Sequence, residues 1–333
     1  MRELSVFFGL VENETLKVLR RRRFRVVLLV LAAILSLIVF AQWRQEQREA
    51  RENPKADWRA AVEKRATEME RRSSSRRVPP AFARFLKFEA GRLRYHLERG
   101  IDPDQKTGPL FARFHAGIAS VLLIPLLVAV FAADLVSSEF SEGTVKLLLT
   151  RPVARWKVLA SKFVTMGLFT TLTNLFSGLL AFGIAGLAFG YSGWGAPVLT
   201  GFSIGDGGFD ASAVRMLPLW QDAVAAYGLA WVSALAVGCV TMLLSVLLRS
   251  TAAAMGTMMA TLISGTILSR VASEWEAAKW FFVTALPLPD YYAGVPTPVS
   301  GMTLGFCVGV LVAWAAAATA VAFVVFVRRD VTE

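Results

Sequence analysis

The sequence predicts an all-α polytopic membrane protein with about six transmembrane helices, and three observations carry that prediction. Of the 333 residues, 55% are hydrophobic, and the mean hydropathy of +0.52 is more apolar than a soluble domain of this size sustains. The apolar residues are gathered into uncharged runs, such as 116–133 and 163–189, each long enough for one bilayer crossing. A single long polar segment, 42–115, stands between the first of these runs and the rest.

In chain order, residues 1–25 read as an interfacial element. Leu4, Phe7, Phe8 and Val11 recur at i, i+3, i+4 and i+7, with Glu3, Glu12 and Glu14 on other faces, the pattern of an amphipathic helix lying on a membrane. Lys17, Arg20, Arg21, Arg22, Arg23 and Arg25 follow. Such a cluster holds its end of the next span in the cytoplasm and attracts anionic lipid. Residues 26–43 form the first transmembrane helix, with Trp43 as an interface aromatic. Val39-Phe40-Ala41 has the small and branched residues that a signal peptidase selects, but the preceding basic region is too long for a typical cleaved signal, so a retained span is expected.

Residues 44–115 are expected to be extracytoplasmic. Trp58, Val62, Ala66 and Met69 mark one helical stripe, and Phe82, Leu86, Ala90, Leu93 and Leu97 mark another. Ser73-Ser74-Ser75 and Pro79-Pro80 separate them, so a helical hairpin follows, too small for its own core and bound to lean on a neighbour. His96 and His115 are the only histidines and are too far apart in sequence for a recognised metal site.

Residues 116–333 are the transmembrane domain with spans two to six. Pro125 is a candidate kink in the second, the Gly-rich stretch 190–221 is an outer loop, and 223–248, 251–268 and 302–327 are the last three spans. Between the fifth and sixth, 275–300 is apolar and aromatic but broken by Pro287 and Pro289. It is too short to cross and is expected to re-enter the outer leaflet, packed on protein, with Pro287, Pro289, Tyr291 and Tyr292 as an outer gate. Gly301, Gly305 and Gly309, Gly186 with Gly190, and Ala234 with Gly238 are small-residue steps that let helices approach closely, within the chain by preference. Cys239 and Cys307 lie in apolar runs as packing residues. Six spans place both termini in the cytoplasm.

The stretch that stands out is Asp134–Lys157, within a loop of 137–160. It is charged and turn-punctuated between two long apolar runs. Gly143 suits a helix stop, Thr144 can cap a short new helix, and Pro152 is tolerated in the first turn of the next span. A short helix held across a membrane face by two spans is a lever. With Asp134, Glu139, Gly143-Thr144, Leu147-Leu148, Pro152, Arg155 and Lys162 in this order, the chain resembles the ABC-2 type permeases, the membrane subunits of ATP-binding-cassette exporters. That resemblance also covers the interfacial helix before the first span and the re-entrant element before the last.

The resemblance implies that the loop holds the coupling helix, with Glu139, Glu142, Gly143, Thr144, Val145, Leu148, Leu149, Pro152 and Arg155 as the contact to a separate ATPase subunit. It implies two permease subunits, alike or different, around one pathway, and ATP with Mg on the partner rather than in this chain. The residues agree in one respect: no G-x-x-x-x-G-K-[ST] pattern is present. Neither a zinc-protease motif nor a nucleophile elbow is read from the chain, and the predicted span interiors carry no ionisable group for ion-coupled transport. The chain is thus expected to be a non-enzymatic transport subunit of a prokaryotic cell membrane, moving a drug-like, peptide or lipid-like amphiphile. The alternative is a membrane scaffold or receptor whose outer hairpin binds a ligand. The net charge of +11 flanks spans or mixes with acids, so nucleic acid is not an expected partner.

Overall fold

The computed structural model describes residues 2–52, 57–75, 78, 80–141, 143, 153–205, 208–271, 275–299 and 301–328. Helix α1 (Arg2–Arg20) precedes α2 (Arg22–Glu52), which continues well past Trp43. Helices α3 (Trp58–Ser73) and α4 (Pro80–Arg99) form the hairpin. Then α5 (Gly108–Ile118), a π-helical turn (Ala119–Leu123) and α6 (Ile124–Ser141) make one long span. It is followed by α7 (Arg155–Phe189), α8 (Leu219–Leu248), α9 (Thr251–Val271), two 3₁₀ turns (Glu276–Trp280 and Phe282–Ala285), the short α10 (Leu288–Ala293) and α11 (Leu304–Arg328). Six of these elements are long and apolar enough to cross a membrane. The protein is an all-α, multi-pass membrane protein.

Within lipid, association of spans relies on close packing rather than on escape from water. The second and fourth spans are the most enclosed, with 67% and 56% of their apolar windows buried against 22–33% for the others, so these two form the axis. Phe24 of α2 meets Phe169 of α7 edge-on, with ring centroids 4.7 Å apart. Gly238 lets α8 close on Met166 and Val128, where a Cβ would sit 2.5 Å from Met166 Sδ. Gly108 does the same for α5 on α7, where a Cβ would sit 2.7 Å from Gly186 Cα, and its N–H donates to Gly190 O at 2.9 Å. Gly305 and Gly309 differ: a Cβ on either would meet nothing within 4 Å. The expected intrachain packing of that step does not occur, because it faces away from the bundle.

The second span differs at two points from what the sequence suggests. The second span starts at Gly108 rather than at 116, because Thr107 caps it, Oγ1 accepting from Leu110 N at 3.3 Å, and Pro109 occupies its first turn. Pro125 is absorbed by the π turn, where Ile124 N–H bonds Ala119 O five residues back. Widening the helix there accommodates a residue that lacks a donor and crowds the preceding turn.

The Gly-rich loop contains strands that its composition did not suggest: β1 (Pro197–Thr200) pairs antiparallel with β4 (Arg215–Pro218), enclosing β2 (Ser203–Gly205) paired with β3 (Gly208–Asp210). This nested hairpin gives the helical hairpin its neighbour. Phe88 and Tyr95 of α4 pack on Phe202 and Phe209, while Val62, Ala66 and Leu93 close α3 on α4 as the stripes predict.

Candidate functional site

The foot of the 142–154 loop is held by a buried ionic network. Lys162, one turn into the apolar part of α7, is fully buried. Its Nζ donates to Glu14 Oε2 and Leu135 O at 2.8 Å each and lies 2.7 Å from Glu139 Oε1. Lys17 bridges the same acids, at 2.6 Å from Glu14 Oε1 and 2.8 Å from Glu139 Oε1. Burial of Lys17 opposes its charge, but the fields and hydrogen bonds of Glu139 and Glu14 outweigh this and raise its pKa above the ordinary lysine value. Two acids thus meet two amines from α1, α6 and α7.

A second knot lies one helical turn away. Asp134 accepts from Arg21, at 2.5 Å, and from Arg23. Ser137 N–H donates to Ser245 Oγ at 2.9 Å, and Ser137 Oγ lies 2.8 Å from Thr251 Oγ1. The last two turns of α6 are therefore tied to α1, α2, α7, α8 and α9. Buried charges survive in such a setting only when paired, so the network fixes where the amphipathic helix α1 sits. Leu4 and Phe8 of that helix, 64% and 65% exposed, turn away from the protein.

Of the predicted contact residues, Gly143 takes the left-handed conformation, φ +69°, with its N–H bonded to Phe140 O at 3.2 Å, the helix stop the sequence predicts. Arg155 begins α7 and donates to Val327 O at 3.4 Å, joining the start of the third span to the end of the sixth. Glu139 is corrected: at 6% exposure, turned onto two lysines, it holds the loop's entrance and presents no charge to a partner. Glu142, Thr144, Val145, Leu148, Leu149 and Pro152, and with them the short helix, lie outside the described residues.

At the opposite end, the segment broken by prolines packs deep among the helices. Ser233 Oγ donates to Leu286 O at 2.8 Å, and Trp314 Nε1 donates to Trp280 O at 2.9 Å. Ser233 and Trp314 stand about 21 Å and 15 Å along α8 and α11 from Leu219 and Leu304 at 1.5 Å per residue, so the segment descends between spans. Pro287 O receives the N–H groups of Asp290 and Tyr291, and Pro289 opens α10. Tyr291 Oη donates to Thr284 O at 2.7 Å, and Tyr292 O accepts from Thr200 Oγ1 at 2.9 Å. The four predicted gate residues thus share one segment, in which Pro287, Tyr291 and Tyr292 are held through backbone or hydroxyl bonds.

The expectation of charge-free spans is overturned. Arg113, His115, Lys162 and Asp222 all lie in span helices, at 5%, 5%, 0% and 0% exposure. The signal available in the sequence was Thr107 followed by Pro109, which moves the second span's start upstream. Gly201-Phe-Ser203-Ile-Gly205 fits the letters G-x-S-x-G, yet Ser203 opens β2 of a hairpin, its Oγ 3.3 Å from Asp210 Oδ2. A nucleophile elbow needs a strand-to-helix turn. Among the described residues no three of His, Cys, Asp and Glu are grouped to hold a metal.

Two relatives come from Bacillus subtilis (strain 168). The chain is 27% identical over 248 residues to the uncharacterized protein YhcI, covering 71% of this chain and 74% of the relative. It is 30% identical over 213 residues to the uncharacterized membrane protein YdbK, covering 63% of this chain and 78% of that one. Residues 83–332 match the model of a family described as a protein of unknown function, DUF2705. Because this match takes in five of the six spans, the proline-broken segment and most of the second helix of the helical hairpin, the chain belongs to the DUF2705 family.

Proposed function

We propose that this chain is the permease subunit of an ABC-2 type ABC exporter, coupled at the 142–154 loop to a separate ATPase subunit. The observation that carries the reading is the ionic network at the loop's foot. Glu14, Lys17, Glu139 and Lys162 join the interfacial helix to the two spans that the loop connects. A push on the loop therefore reaches three helices as one body rather than dissipating in side chains. The loop faces the cytoplasm because the Arg20–Arg25 cluster lies on its side of the membrane. Two permease subunits, identical or not, enclose the pathway, ATP and Mg belong to the partner, and the cargo is an amphiphile. The contact set is Glu142, Gly143, Thr144, Val145, Leu148, Leu149, Pro152 and Arg155.

The test is Leu148→Pro. Proline inside a helix costs about 3 kcal/mol of helix stability, so in the short helix that the sequence predicts it would remove the lever while leaving every span intact. Membrane insertion should be unchanged, while copurification with the ATPase, or cargo-stimulated hydrolysis, should be lost. Full retention of both would remove the loop from the coupling role. A second reading, a receptor, is favoured by one feature: a cleft of about 380 Å³ between the outer hairpin and the start of α5, lined by Trp58, Arg59, His96 and Phe114. Purification of the chain with no ATPase, together with ligand capture by its outer hairpin, would support that reading instead.

A further inference from the structure

The remaining buried charges sit where the proline-broken segment meets the second span. Arg113 of α5 donates from Nε to Asp222 Oδ2 of α8, with the two residues 5% and 0% exposed. Asp290 of α10 fills the space over Gly117, where a Cβ would collide with its Oδ1. Gly117 follows Arg113 by four residues, so the two share a helix face. The Asp290 carboxylate therefore stands one turn from the guanidinium, in its field.

One cation thus faces two carboxylates. Among the described residues Asp290 has no ion-pair partner within 4 Å, and the fully buried Asp222 Oδ1 has no hydrogen-bond partner. The other elements around the segment do not restore the balance. Tyr291 is committed to Thr284 O and has the thiol of Cys307 from α11 beside it. Tyr292 lies in the fields of Asp222, Arg113 and Arg215 of β4, and Arg215 is exposed. Strand β1 offers only Thr200. Asp290 is half-buried, and a surplus negative charge in such a place is unfavourable unless the acid takes up a cation.

We infer that Asp290 is a proton-binding site whose occupancy controls how the re-entrant segment is seated against the second span. The step is simple protonation: the carboxylate takes one proton from hydronium in the solvent, leaving water, and becomes a neutral acid. Ionised, Asp290 is drawn to Arg113 and holds α10 on α5. Protonated, it loses that attraction while Arg113 keeps Asp222. The hold is present above the titration of Asp290 and is lost as the pH falls through it. The inference is independent of the ATPase partner.

The test is infrared difference spectroscopy of the purified full chain in micelles across a pH series in potassium buffer. A carboxylic-acid C=O band should grow on acidification, disappear in Asp290→Asn, shift in Asp290→Glu and persist in the control Asp210→Asn, in the β3 strand away from this segment. Asp290→Asn is isosteric with the protonated form and should fold. A band unchanged in both Asp290 variants, or none at any pH where the chain stays folded, overturns the inference. So does a band governed by sodium concentration rather than pH.

Discussion

The two ends of the helix bundle bury charge in opposite ways. At the loop end, Glu14, Glu139 and Asp134 meet Lys17, Lys162, Arg21 and Arg23, and every buried acid has a cationic group within hydrogen-bonding distance. At the other end a single guanidinium, that of Arg113, serves Asp222 and stands near Asp290. Both arrangements cross between helices, yet their consequences differ. A fully paired network gains nothing from losing or adding a proton, so it behaves as a rigid joint. An under-paired cluster changes its charge at low cost and can change its contacts with it.

The contrast is tested hardest at Lys162. Replacing it by methionine leaves Glu14 and Glu139 buried with Lys17 as the shared cation among the described residues, and breaking a buried pair in this way costs about 3 to 5 kcal/mol. Thermal unfolding followed by size-exclusion chromatography in detergent should show a loss larger than that of Gly117→Ala or Arg94→Ala. Adding Glu139→Gln should recover part of it. A Lys162→Met protein as stable as the native chain would show that the joint is not held by charge.

A smaller loss is expected from Gly117→Ala at the other end. The added methyl collides with the Asp290 carboxylate, and overpacking of this kind costs about 1 to 3 kcal/mol. Because α10 is a single short helix, it can shift to relieve the strain, so the same unfolding assay should give a smaller change than Lys162→Met. A change as large as that one would mean that the re-entrant segment is as rigidly built as the loop end.

The smallest effect belongs to an exposed pair that serves as the reference for both. Arg94 forks onto Glu70 with two 2.7 Å bonds between α3 and α4. An exposed pair contributes about 0.2 to 1 kcal/mol, and Arg94→Ala should cost no more than that. The Arg94 hydrogen bond holds Glu70 below the ordinary glutamate value of 4.5. A depressed carboxylate stabilises the fold above its unfolded pKa and loses that contribution as the pH falls through the folded one. Native and Arg94→Ala unfolding curves should therefore differ near neutrality and converge in acid; a constant gap at all pH values would assign the loss to packing of the arginine stem.

Much of the architecture is legible in the amino-acid order. Six spans, the interfacial helix, the helical hairpin, the stop at Gly143 and the proline-broken segment each follow from composition and spacing within about thirty residues. These are local properties, since hydropathy, helix capping and the fixed φ of proline act over one element at a time. The tertiary structure alone decided the rest. Lys162 reads as the last charge of the loop motif, at the edge of an apolar run, and is fully buried; Glu139 reads as a surface contact and faces inward. Gly186 and Gly305 sit in the same small-residue pattern, yet only the first is packed against its own chain. The reason is that Lys17 and Glu139 are 122 residues apart and Arg113 and Asp222 are 109 apart. Which charge finds which is set by the rotation of each helix about its axis, and that rotation is fixed by all the neighbouring spans together.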